Sequence, residues 1–179
     1  MALPQQKFRE IVFQVLYCLE LGGTAEDEIV SLIMKELQVT KRSVRQAYEQ
    51  VEKIIAKQQK IDETIRTIST SYTFERIQTV EKNILRLSIY ELLFDDQLPK
   101  KVVIAEGMRL ARKFGTPESA SFVNALLDAV YKETLGETKD LDTIKILADT
   151  LEKNEEMIHE KMEALRDATI ELEKVDPTE

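Results

Sequence analysis

The residues with the most chemical potential per unit length lie near the C-terminus. Glu155, Glu156, His159 and Glu163 recur at helical steps and share one side of a helix, the minimum arrangement for a carboxylate–imidazole metal site. His159 is the only histidine and Cys18 the only cysteine. Zinc therefore lacks its usual second nitrogen or sulfur ligand, and the four residues read as an ordinary solvated helix face. Asp95 and Asp96 are adjacent carboxylates with no basic or apolar setting to split their acidities, which fits a turn better than an acid–base pair. Ser88 and Ser121 have no histidine near them in sequence. No phosphate-cradling GxxxxGK[ST], no GxGxxG and no GxSxG occurs. Cys18 sits in an apolar run, as a small buried hydrophobe does. The sequence shows no catalytic centre, metal site or cofactor site.

Binding chemistry is better represented. Lys7 and Arg9 open the first apolar-periodic segment, Lys41, Arg42 and Arg45 the third, and Lys100 and Lys101 precede the fifth. Helix N-termini expose N–H groups that attract phosphate, and flexible cations add backbone contacts. Tyr17 and Phe122 supply rings that stack on unpaired bases where exposed, or fill a core where buried.

The elements that would position these groups are all helical. Glycine and proline are scarce, five and four in 179 residues. The first helix spans Gln5 to Leu21 with Phe8, Ile11, Val12, Val15, Leu16 and Leu19 on its apolar face. A second runs from about Ala25 to Leu37 and offers Ile29, Leu32, Ile33 and Leu37. Thr40 caps a third, Lys41 to about Ser69, whose stripe includes Val44, Val51, Ile54, Ile55, Ile61 and Ile65. Phe74 and Ile77 close that end of the core after a short bend. Thr79 caps a fourth helix to about Phe94. The fifth spans Lys100 to Phe114 and stops at Gly115, and Thr116-Pro117 starts a sixth that ends before Gly136. Gly107, inside the fifth, costs helix stability and predicts a close helix–helix crossing.

Charge divides the chain. The net charge is −8. From Thr138 onward there are 13 acidic and 6 basic residues, so the body is nearly neutral and the acidity belongs to the tail. This excludes indiscriminate nucleic-acid binding by the whole chain but not a local basic face. In the tail, Ile144, Ala148, Leu151, Glu155, Ile158, Met162, Leu165, Thr169 and Leu172 alternate four- and three-residue steps, a coiled-coil-like seam with one charged interruption. The favoured reading is a long amphipathic helix folded back on the body. Self-association through the seam and a solvated charged helix are the alternatives. No apolar run is long enough to span a membrane, and the N-terminus is not a signal peptide.

Four blocks carry a family resemblance: FREIVFQVLY, VEKNILRLSIYELLF, LPKKVVIAEGMRLARKFG and SFVNALLDAVY. In this order and spacing they resemble the bacterial transcription antitermination factor NusB family, over about Gln5 to Lys132. The resemblance implies an all-α fold of two packed helical bundles in residues 1–136, followed here by an acidic helical extension, 137–179, outside the usual family pattern. It implies a non-enzymatic, cytoplasmic role without cofactors. The partners would be boxA-containing nascent RNA, the ribosomal small-subunit protein NusE and the antitermination complex on RNA polymerase, especially during ribosomal RNA transcription. A homodimer is also known in the family. Transferred by position, the RNA-binding candidates are Gln5, Gln6, Lys7 and Arg9, where relatives have an arginine-rich arm, with Ser121, Phe122 and Asn124 at the sixth helix. The protein-partner candidates are Glu81, Asn83, Ile84 and Glu118. A second reading is a helical RNA-recruitment module, as found at the N-terminus of some ribosomal RNA cytosine methyltransferases. The chain has no catalytic domain of that kind.

Overall fold

The computed structural model describes residues 3–22, 25–69 and 73–174, with side chains as far as Arg166. Seven α-helices follow in order: α1 Gln5–Glu20, α2 Glu26–Leu37, α3 Lys41–Ile68, α4 Thr79–Phe94, α5 Lys100–Phe114, α6 Pro117–Leu135 and α7 Leu141–Lys174, with a 3-10 turn, Phe74–Arg76, between α3 and α4. The helices α1–α3 form one bundle and α4–α6 the other, and α4 packs on both α1 and α3 to join them.

Local chemistry explains the boundaries. Thr40 caps α3, its Oγ1 accepting from the Ser43 N–H at 3.2 Å. Thr116 and Ser119 form a reciprocal capping box, with Pro117 at the first position of α6. Gly136 ends α6 in the left-handed region (φ 70°), where a side chain is disfavoured. The cap of α4 differs from expectation: Gln78 holds that position and Thr79 is already helical, with no side-chain cap.

The core is one continuous cluster of mainly aliphatic residues that takes in Phe13, Phe74, Ile77 and Phe122. Some periodic positions fall outside it. Leu32 and Ile55 are about half exposed and Leu19 more than a third. An apolar stripe wider than the facing helix leaves its margin in solvent, and Leu19 and Ile55 there line a shallow groove with Glu20 and Arg86. Arg86 is buried in the joint between the bundles. Its Nε and Nη2 donate to the two carboxylate oxygens of Asp62 on α3 at 2.8 and 2.9 Å, and its Nη1 to Glu20 of α1 at 2.8 Å. Fork geometry of this kind satisfies a buried guanidinium, and its role is to lock three helices together.

Gly107 marks the predicted crossing. A Cβ at this position would lie 2.7 Å from Leu127 Cδ1 on α6 and 2.9 Å from Ser88 Oγ on α4. Three helices meet where only hydrogen fits. Gly107→Val is expected to lower unfolding free energy by about 2–3 kcal/mol through overpacking. Gly107→Ala should do less, because about 1 kcal/mol of helix propensity offsets the clash. Denaturant midpoints of the three proteins check the order.

The first part of α7 folds back along α6, burying Ile144, Ala148 and Leu151 in the common core. The end of that contact is held by an ion pair between Glu152 and Arg76 and by a hydrogen bond from Gln78 Nε2 to Glu155 Oε2 at 2.9 Å. Leu141 to Glu155 makes about 22 Å of helix at 1.5 Å per residue. Beyond it the same seam emerges into solvent, with Ile158 53% and Met162 63% exposed. Thr169 and Leu172 of the seam lie outside the residues whose side chains are described. No helix among the described residues is long and apolar enough to cross a membrane.

Candidate nucleic-acid and partner interfaces

The N-terminal arm is built into the body through α5. Gln5 and Gln6 are exposed and Lys7 half-buried. Gln6 Nε2 donates to Glu106 Oε1 at 3.1 Å, and the Gln6 carbonyl accepts from Arg109 Nη2 at 3.1 Å. Arg109 also donates to Glu10 Oε1 at 2.7 Å and to Glu106 Oε2 at 3.0 Å, while Lys113 Nζ reaches Glu10 Oε2 at 2.8 Å. Burial pushes the Glu10 carboxyl up, and its bonds from Lys113 and Arg109 more than reverse this, so it is held below its ordinary value. The first turn of α1 is thus fixed in place by charge-assisted bonds to a rigid helix.

Arg9 departs from its assignment as a nucleic-acid contact. It is 4% exposed and its Nε donates to both carboxylate oxygens of Glu91 on α4, at 2.9 and 3.0 Å. The helical register turns it inward, toward the joint between bundles, while Gln5 and Gln6 face out. Burial raises the Glu91 carboxyl, and the Arg9 guanidinium opposes that rise without cancelling it. Arg9 in this state is a structural cation.

The start of α6 offers fewer groups than its sequence suggests. Ser121 is exposed and Asn124 half-buried. Phe122 is 0% exposed and is among the largest fully buried side chains, so its ring has no face to offer a base. Position 122 is buried with Val123 and Leu126, on the inward-facing side of the helical repeat.

One residue that sequence reasoning passed over completes this surface. Arg112 is exposed and has no ion pair among the described residues. With Met108 of α5 and Pro117, Ala120 and Ser121 of α6 it lines a shallow pocket. The helix α5 therefore bridges two patches: Gln6 meets it at Glu106 and Arg109, and Ser121 meets it at Arg112. The signal available in sequence was the spacing of Arg109, Arg112 and Lys113 in the last turns of α5, three cations on neighbouring faces.

The partner candidates divide in the same way. Glu118 is half-buried at the first turn of α6. Glu81 is 3% exposed, and its Oε1 accepts a short hydrogen bond from Ser119 Oγ, tying the first turn of α4 to the cap of α6. Its Oε2 is buried and has no hydrogen-bond partner among the described residues. Asn83 is buried and donates to Glu20 Oε2 at 2.6 Å and to the Thr79 carbonyl at 2.9 Å. Ile84 is wholly in the core. Asn83 and Ile84 are thus corrected to packing residues, because the inner face of α4 is covered by α1 and α3.

Among the described residues no group of three His, Cys, Asp or Glu is placed to hold a metal ion. His159 pairs, among the described residues, only with Glu163, at 3.5 Å on an exposed face. Cys18 is half-buried and burial pushes its thiol up, away from the reactive thiolate.

Comparisons with known proteins agree with this fold. The sequence profile of the NusB family matches residues 6–132. The transcription antitermination protein NusB of Chlamydia pneumoniae is 36% identical over 131 residues, covering 73% of this chain and 82% of that one. That of Anaeromyxobacter sp. (strain Fw109-5) is 36% identical over 131 residues, 73% and 91% of the two chains. A chain in the crystal structure of antitermination factors NusB and NusE in complex with double-stranded RNA superposes with a TM-score of 0.62 at 27% identity, over 72% of this chain and 96% of that one. NusB of T. maritima superposes with a TM-score of 0.61 at 30% identity, over 74% and 94%. These curated relatives are named as transcription antitermination proteins. With a profile match across α1 to α6 and relatives above 30% identity over most of their length, this chain belongs to the NusB family.

Proposed function

We propose that this protein is a transcription antitermination factor. It binds boxA-containing nascent RNA together with the ribosomal small-subunit protein NusE, and helps assemble an antitermination complex on RNA polymerase, chiefly during ribosomal RNA transcription. This reading places it in the cytoplasm, where the transcript emerges. The observation that carries it is the likeness, over nearly all of the matched chain, to a NusB solved with both NusE and RNA. Gln5, Gln6, Lys7, Arg112, Ser121 and Asn124 form the RNA face, with hydrogen-bonding groups more numerous than cations. Glu118, with Glu81 behind it, forms the acidic partner face. Two weak contacts become one strong assembly when RNA and NusE are held by the same body.

Binding of a boxA oligonucleotide and of NusE, each measured by titration calorimetry, tests the reading. Lys7→Glu/Arg112→Glu is expected to weaken RNA binding at least tenfold near 0.1 M salt. It should also flatten the salt dependence by roughly one unit of slope per lost phosphate contact, with NusE affinity unchanged. Glu118→Lys should do the reverse. Wild-type protein that binds neither partner at low salt sinks the proposal.

A further inference from the structure

The exposed half of α7 leaves an open groove of about 700 Å³ against the 3-10 turn and the start of α4. Its walls are Arg76 and Gln78 on the body and Glu152, Glu155, Glu156 and His159 on α7. Ile158 and Met162 provide the apolar surface. We propose that this groove docks a cationic, apolar-anchored segment of the protein partner that occupies the acidic face of α4 and α6, so that the C-terminal extension enlarges that interface. The inference rests on the partner reading above.

Three observations favour that occupant. First, the groove is continuous with the proposed partner face. Gln78, at the cap of α4, bonds Glu155, and Glu81 lies close enough to add to the electrostatic load on it. Second, the charge is unbalanced in one direction. Burial raises the Glu155 carboxyl, Gln78 draws it back, and the neighbouring Glu81 and Glu152 raise it further. In the groove lining three carboxylates, Glu152, Glu155 and Glu156, face one guanidinium, Arg76, which is paired with Glu152. An arriving Lys or Arg relieves the repulsion among the remaining carboxylates. Third, the groove is built on a fixed floor. Ile144, Ala148 and Leu151 anchor α7 in the core, so Ile158 and Met162 are held at a set height beside the body. An apolar surface rimmed mainly by carboxylates suits a partner segment with alternating apolar and basic residues.

The test uses the full chain and purified NusE as the probe. Ile158→Ser/Met162→Ser should weaken NusE binding by about 5- to 30-fold, the range expected for losing two apolar contacts of modest strength. Glu156→Lys, on the exposed rim, should weaken it several-fold more at low salt than at high salt. Affinity for boxA RNA should stay within about twofold in both. If both variants bind NusE like wild type while Glu118→Lys does not, the groove is no docking site and the family reading stands. If wild type itself does not bind NusE, that reading fails and takes the groove with it. Tighter binding by the Ser variant would mean that α7 occludes the partner face, overturning the proposal. So would a wild-type dimer in sedimentation velocity that the Ser variant abolishes without changing NusE affinity, because the occupant would then be a second copy.

Discussion

Arg9→Ala is expected to destabilise the protein by about 3–5 kcal/mol, the cost of stripping one partner from a buried ion pair. The guanidinium and the Glu91 carboxylate are both almost inaccessible and share two hydrogen bonds. Without Arg9, the burial that already raises Glu91 acts unopposed, and the folded protein takes up a proton there. A carboxyl whose folded pKa lies above its unfolded value contributes stability at low pH and loses it as pH rises through the folded pKa. The deficit of Arg9→Ala should therefore widen as pH rises from the ordinary carboxylate range upward. Arg9→Met/Glu91→Leu, which removes both charges and keeps apolar volume, should recover most of the loss. Urea melts across that pH range check all three statements. The double variant also decides function: boxA affinity within twofold of wild type fits a structural cation, whereas a tenfold loss in the folded double variant would return Arg9 to the RNA face.

Arg9 also shows where sequence reading stops. Lys7 and Arg9 look alike on paper, two cations in the first turns of a helix. Helical register turns one outward and the other inward, and the carboxylate that receives Arg9 is 82 residues away. No local pattern reports such a partner. Arg86 carries a plainer local signal, because it interrupts an apolar run in α4 and so must be paired to be buried there. The helix ends were legible for a similar reason. Pro99, Gly115, Thr116-Pro117 and Gly136 each act through their own backbone or side chain and need no distant partner. The cap of α4 was not, since Thr79 has the right chemistry one position too late.

The extension gives the same lesson in another form. A four-three seam predicts a helix that buries one side, and α7 does so through Leu151. The seam then continues at Ile158 and Met162 with no change of residue type, although packing has ended. What changes is the body beneath it: α7 reaches the level of the α4 and α6 N-termini, where Gln78 and Arg76 hold it, and passes beyond. Periodicity encodes which face of a helix is apolar. The length of the neighbouring helix decides how much of that face is covered. Glu155, the charged interruption in the seam, sits at the transition, where a polar contact to Gln78 replaces apolar packing.

Phe122→Ala is expected to cost about 3–5 kcal/mol, as for other fully buried aromatic side chains cut back to a methyl group. The ring belongs to the same cluster as Val123, Leu126 and Leu127, and α6 packs there on α4 and α5. Loss of RNA binding in that variant would not identify a stacking residue, because an unfolded fraction binds nothing. Phe122→Leu separates the two roles. Leucine keeps most of the apolar volume and should cost less than about 1.5 kcal/mol. It has no π-face, so a true stacking residue replaced by leucine would lose about 1–3 kcal/mol of RNA binding, or roughly 5- to 150-fold in affinity. The buried position predicts instead that Phe122→Leu binds boxA RNA within twofold of wild type, with only a small fall in its urea midpoint. The opposite outcome, unchanged stability with a large loss of affinity, would require α6 to turn this ring outward when RNA binds.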